Sequence, residues 1–263
     1  MKDYIKNKKI LEKSFNYTSE MEHDACGVGL IASTNGKKSR KIVDYGIEAL
    51  KAIWHRGAVD ADGKSGDGAG IQIEIATDFF KEKIISTGQT PDETKRICVG
   101  MVFLPRTDYA DQEKCREIIE SVLLEENYHI YGWRQVPFNS NVLGKTAEQS
   151  RPEIAQVMFK KNENLQTNDL ERDLFETRKK IEKLARENQL KNFYICSFSS
   201  RSIVYKGMFL AEMLAEFYPD LNDKKLTSRF AIFHQRYSTN TFPSWELAQP
   251  FRFLCHNGEI NTL

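Results

Sequence analysis

Apolar residues at Val43, Ile47, Leu50, Ile53 and Trp54 fall on one face of a helix over 40–55. His55 and Arg56 occupy its last turn and Gly57 lies just beyond, a helix stop. Ile71, Ile73 and Ile75 alternate with polar residues, predicting a half-buried strand. The apolar run 97–104 predicts a fully buried strand, ended by Pro105, and the charged, periodic stretch 108–126 predicts a helix. Strands follow over 128–136 and 153–159, then a long amphipathic helix over 168–188 with Leu170, Leu174, Ile181 and Leu184 inward. Residues 193–198 and 202–205 read as a hairpin joined through Ser199-Ser200-Arg201. A short helix over 207–218 and strands over 229–234 and 251–256 complete the chain.

The N-terminal stretch differs in kind. Residues 1–25 are polar and Lys- and Glu-rich, with room for a short helix around Ile10 and Leu11. The first strand begins at Cys26, runs through alternating small and apolar residues to Ser33, and breaks at Asn35-Gly36. Without internal repeats or a low-complexity linker, the chain reads as one domain, 26–263, behind a detachable leader, 1–25. Face-alternating strands mixed with helices predict an α+β fold on an antiparallel or mixed sheet. The chain stops soon after a motif-rich segment, which reads as a domain cut short.

Composition narrows the function classes. A net charge of +1 over 263 residues gives no expectation of nucleic acid or of an anionic membrane surface. No apolar run nears the roughly 20 residues needed to span a bilayer. The N-terminus lacks the apolar core of a secretory signal, and Asp3, Glu12, Glu20 and Glu22 argue against a transit peptide, so a cytoplasmic location is expected. Five cysteines with no CxxC fit a reducing compartment and neither a disulfide framework nor a zinc pair. Cys98, Cys115, Cys196 and Cys255 read as small buried hydrophobes.

Five features could carry chemistry. Cys26 places a thiol where a core strand begins. The glycine-rich stretch Lys64 to Gly70 lacks the spacing of a phosphate-cradling loop and reads as a loop near a site. His55, His234 and His256 with Cys255 fit no standard zinc spacing. Arg236 ends a strand, where its usual role is a solvated rim charge and its fork also suits a carboxylate. Asn257-Gly258 is a common turn; it also offers an amide and a backbone N–H to an oxyanion.

Cys26-Gly27, then His55-Arg56-Gly57, then Arg236-Tyr237-Ser238-Thr239, then His256-Asn257-Gly258 resemble, in that order, the class II glutamine amidotransferase family of N-terminal-nucleophile hydrolases. The strings from His55 through Gly70 and from Arg236 through Arg252 are similar to the amidotransferase domain of glutamate synthase large subunits. The resemblance implies a four-layer α-β-β-α sandwich, incomplete at its C-terminus. It implies Cys26 as nucleophile, Asn257 and Gly258 as oxyanion donors, Arg236 with Thr239 as the clamp on the α-carboxylate of L-glutamine, and Arg56 and Asp67 in a loop beside the site. FMN and an iron–sulfur cluster would belong to downstream domains, leaving this chain without a cofactor or metal. The implied partners are the remaining glutamate synthase domains and a small subunit or ferredoxin; the electron donor (NADPH, NADH or ferredoxin) stays open. A non-catalytic truncated or unprocessed fragment, and an amidotransferase serving a sugar phosphate or phosphoribosyl pyrophosphate, are the alternatives.

Chemistry gives the leader a meaning. A free thiol has a pKa of about 8.5 and needs a base, and an α-amine titrating near about 7.7–8.0 can be one. While Ala25 is attached, the nitrogen of Cys26 is an amide and accepts no proton. Residues 1–25 are therefore expected to be a propeptide.

Overall fold

A computed structural model describes residues 2–14, 18, 27–236 and 242–253; Cys26, Thr239, Cys255, His256, Asn257 and Gly258 lie outside the described residues. The elements in order are α1 (Lys2–Lys13), β1 (Val28–Ala32), α2 (Arg40–Ala52), β2 (Ser65–Glu74), α3 (Thr77–Ser86), β3 (Cys98–Leu104), α4 (Tyr109–Glu125) and β4 (Tyr128–Gln135). They continue with α5 (Lys145–Gln149), β5 (Glu153–Lys161), α6 (Thr167–Glu187), β6 (Tyr194–Ser199), β7 (Ser202–Phe209), α7 (Leu214–Phe217) and β8 (Phe230–Gln235). They build a mixed α/β fold around two antiparallel sheets, ordered β1-β8-β2-β7 and β4-β5-β3-β6.

β3 shows why the sequence takes this form. Its odd residues Val99, Met101 and Phe103 enter one core and its even residues Cys98, Val102 and Leu104 enter another. Both faces of a strand with period two are thus buried, which accounts for its unbroken apolar run. The even face packs on Ile119 and Val122 of α4 and Leu174 and Ile181 of α6. The first core gathers Val43, Ile47 and Leu50 of α2, Ile71 and Ile73 of β2, and Ala231 and Phe233 of β8. α2 starts where Ser39 Oγ accepts the Lys41 N–H at 3.2 Å, an N-cap satisfying an otherwise orphaned donor.

Several expectations need correction. α2 ends at Ala52, and Trp54–Arg56 forms a separate 3-10 turn closed by the Gly57 N–H. The stretch from Ser65 to Gly70 is the first half of β2, not a loop. β6 and β7 are not a hairpin, because β6 pairs with β3 and β7 with β2, in different sheets. The polar link between them is held by Glu171, whose carboxylate accepts from Ser199 Oγ, Ser200 N and Ser200 Oγ at 2.6–2.8 Å. β7 runs on to Phe209, leaving only Leu214–Phe217 of the expected short helix as α-helix. Residues 251–253 are irregular, and α3 was not anticipated. Among the described residues, no helix is long and apolar enough to cross a membrane.

Candidate active site

The site is built at the end of the first sheet where β8 finishes between β1 and β2. The Gln235 N–H donates to the Gly27 carbonyl at 2.6 Å, and the Arg236 N–H donates to the Gly68 carbonyl at 2.8 Å. Three segments far apart in the chain therefore meet within two residues of β8. Gly27 directly follows Cys26, and Gly68 directly follows Asp67.

The Gln235 side chain ties in a fourth segment. Its Oε1 accepts the Ala211 N–H at 2.8 Å, and its Nε2 donates to the Gly68 carbonyl at 3.4 Å. Gly57 packs so tightly on this amide that a Cβ there would lie 2.2 Å from Nε2. His55-Arg56-Gly57 is thus anchored to the end of β8 through its glycine, with Arg56 half-buried at the close of the 3-10 turn. The following chain is laced to β2, since the Asp67 N–H donates to the Ala58 carbonyl at 3.4 Å.

Arg236 is buried, and its Nη1 donates to the Asp67 carbonyl at 3.3 Å. Burial lowers its pKa from the ordinary guanidinium value, and the Asp67 carboxylate offsets part of that effect. A guanidinium titrates so far above neutral that Arg236 remains a cation. Asp67, expected in a loop, stands instead on β2 where the register with β7 shifts between Ser65 and Ala69. The bulge depends on Gly68, whose φ of +127° is a region side chains rarely adopt.

The segment 242–253 crosses over this strand. A Cβ on Gly68 would lie 2.7 Å from Ala248 Cβ, and one on Gly70 would lie 2.5 Å from the Gln249 carbonyl oxygen. Trp245 anchors the segment: its Nε1 donates to the Ala147 carbonyl at 3.1 Å, and its ring meets Phe103 edge-on at 5.9 Å. Lys206, buried in β7, donates to the carbonyls of Glu246 and Ala248 at 2.8 and 2.7 Å. The segment then leads into residues 254–258.

Sequence reasoning missed Lys206, Gln235 and Asp62. Asp62 takes the Ser65 N–H at 2.7 Å and the Ser65 hydroxyl at 2.6 Å, and bonds from Ser65, Lys64 and Thr146 hold its carboxyl far below the usual range. The Asp-x-x-Ser spacing was the available signal, because an Asp side chain commonly accepts amides two and three residues on. Burial pushes the thiols of Cys98, Cys115 and Cys196 upward, the latter two to about 12, so they stay protonated and unreactive. Among the described residues, no group of three or more His, Cys, Asp or Glu side chains could hold a metal.

A family model of class II glutamine amidotransferases matches residues 26–263. The chain belongs to that family. This amidotransferase chain is 54% identical over 261 residues to the glutamate synthase [NADPH] large chain of Azospirillum brasilense, covering 99% of this chain and 17% of that one. It is 48% identical over 247 residues to a ferredoxin-dependent glutamate synthase of Pyropia yezoensis, covering 93% and 16%. It is 43% identical over 243 residues to the chloroplastic ferredoxin-dependent enzyme of Spinacia oleracea, covering 92% and 15%. The amidotransferase thus spans about a sixth of the length of these relatives.

Proposed function

We propose that this amidotransferase domain hydrolyses the side-chain amide of L-glutamine through a Cys26 thioester. The observation that carries the reading is the pair of bonds at the end of β8, which sets the residue after Cys26 beside the residue before Arg236. Arg236 holds the substrate α-carboxylate through a charge-assisted fork, with Thr239 as a weaker helper. Arg56 and Asp67 shape the surrounding chain.

The α-amine of Cys26 takes the thiol proton, and the thiolate sulfur bonds to the amide carbon, moving the carbonyl electron pair onto oxygen. The Asn257 side chain and the Gly258 N–H stabilise that oxyanion. Collapse breaks the C–N bond; the leaving nitrogen takes the proton from the α-ammonium and departs as ammonia. Water then attacks the thioester, releasing glutamate and restoring the thiol. This requires residues 1–25 to be removed, and the family match starting at Cys26 supports that boundary.

The relatives are named glutamate synthases, and with the family resemblance this extends the proposal: the ammonia would aminate 2-oxoglutarate in further domains. Those names include both NADPH-linked and ferredoxin-dependent enzymes. We read the two sheets as the inner layers of an α-β-β-α sandwich, with α2 outside one and α4 and α6 outside the other. We place the reaction in the cytoplasm on the cysteine usage; the spinach relative is chloroplastic by name.

Labelling with a diazo-ketone analogue of glutamine tests the reading. Intact mass and peptide mapping should show one adduct on Cys26 of a chain lacking residues 1–25. An active enzyme that retains Ala25, or an adduct on another cysteine, would refute it.

A further inference from the structure

Lys206 lies in β7 with no exposed surface, and the reaction above does not use it. Its ammonium has three donors and three acceptors: the Glu246 carbonyl at 2.8 Å, the Ala248 carbonyl at 2.7 Å and the Tyr194 hydroxyl at 3.4 Å. It also sits over the rings of Tyr194 at 4.5 Å and Phe251 at 4.9 Å. Among the described residues, no carboxylate lies within ion-pair distance of it. Burying such a cation is expensive, and an apolar side chain of similar size would fill the space at lower cost. What the ammonium supplies, and an apolar chain cannot, is a grip on two backbone carbonyls.

We propose that Lys206 is a positioning residue for the glutamine site, clamping the 246–248 backbone so that Ala248 seats on Gly68. The clamp reaches Arg236 by contact: Ala248 backs Gly68, and the Gly68 carbonyl holds the Arg236 N–H. The inference rests on the proposed glutaminase reaction for its meaning, and on β7 and the 246–248 segment for its geometry.

The protonation of Lys206 gives a readout that a merely space-filling residue lacks. The groups facing it are Tyr194 and Cys196 from β6, Tyr218 beyond α7, and Glu246, Arg252 and Arg236. Burial brings its pKa down to about 8, with Arg252 and Arg236 also acting downward and Glu246 upward. The folded value lies below the ordinary 10.5, so between about 8 and 10.5 the unfolded chain binds more protons. Stability from this group therefore rises with pH across that window. The clamp, losing its charge and a donor, weakens across the same window. Glutaminase activity should fall above about pH 8 while this group's contribution to stability grows.

The test compares the chain freed of residues 1–25, so that Cys26 is N-terminal, with its Lys206→Met and Lys206→Arg variants. A misplacement near 1 Å costs roughly 10²-fold, so Lys206→Met should lower kcat/KM on that scale. Hydrogen exchange of the Leu247 and Ala248 amides, both bonded to the Ser244 carbonyl, should become faster. Lys206→Arg keeps a permanent cation, so it should retain more activity than Lys206→Met and lose the alkaline limb. A folded Lys206→Met with kcat/KM within threefold of the parent, or unchanged protection of those amides, overturns the proposal. A parent without glutaminase activity would sink the functional reading alone, since amide protection still judges the clamp. Should neither variant fold, protection of Leu247 and Ala248 in the parent, corrected for intrinsic exchange, must drop above about pH 8; constancy overturns the clamp.

Discussion

Gly68→Ala separates the geometry of the site from general stability. Two terms act against it. The backbone at φ +127° must be forced on a residue with a Cβ, at about 1–3 kcal/mol. The new Cβ would lie 2.7 Å from Ala248 Cβ and 3.0 Å from Ala248 Cα, an overlap worth about 1–3 kcal/mol. Together they come to about 2–6 kcal/mol, or roughly 4–24 °C in Tm for a domain of this size. Gly88→Ala is the control, because Gly88 has φ +82° with nothing within 4 Å of a Cβ. It should lose only the conformational term, about 1–2 kcal/mol, and leave glutaminase activity unchanged.

The contact term is isolated by adding Ala248→Gly. If the overlap is real, the double variant recovers about 1–3 kcal/mol beyond the sum of the singles. Thermal unfolding gives the stabilities, and ammonia release from glutamine gives kcat/KM. The overlap pushes the 246–249 backbone off its seat by a substantial part of an ångström, so kcat/KM should drop toward 10²-fold, on the order expected for a 1 Å misplacement. Additivity within about 0.5 kcal/mol, or activity within threefold of the parent, would refute the idea that Gly68 seats that segment.

Arg236→Lys removes the planar fork while keeping charge. Loss of a charged hydrogen bond worth about 1.5–3 kcal/mol should raise the KM for glutamine roughly 10–150-fold with a smaller change in kcat; a KM within threefold would detach Arg236 from the substrate. Arg134→Met leaves the buried Asp220 without the guanidinium whose Nη1 sits 2.7 Å away. The expected loss is about 3–5 kcal/mol by denaturant unfolding, and Asp220→Leu in the same chain should recover most of it, because the unpaired charge is then gone. Glu74 provides a pH test. Burial acts to raise its pKa, but the Arg229 bonds and Lys38 win and hold it below the ordinary 4.5. Its contribution is present above that value and lost as pH falls through the lowered one. In Arg229→Met the deficit in Tm against the parent should be widest at neutral pH and shrink below about 4.5; a deficit constant with pH would contradict the pairing.

What was legible in the sequence followed from burial. The face-to-face burial of β3 writes itself as an unbroken apolar run, and one buried stripe on α6 writes itself as helical spacing. The choice of ladder partner leaves no such mark. β6 and β7 have strand patterns and a short polar link, as a hairpin would, yet their pairing is set by β3 and β2 across the molecule. α3 was hidden because Phe79, Phe80 and Ile84 form a short, weakly periodic set directly after a strand.

The same reasoning explains the uneven view of the site. Arg236 stands out because a cation at a strand end is conspicuous, whereas Lys206 falls between the strand read over 202–205 and the helix read over 207–218, and in the structure it lies wholly buried within β7. The stretch from Ser65 to Gly70 carries almost no apolar signal, since its residues are selected by how closely other backbone approaches them. Its glycines admit Ala248 and the Gln249 carbonyl, and its carbonyls at Asp67 and Gly68 hold Arg236. A strand that works by its main chain must be nearly bare of side chains, and hydrophobic patterning is silent on such a strand. In this amidotransferase the silent strand lies between the arginine and the segment 242–253, so the part of the sheet least visible to periodicity is the part that borders the candidate site.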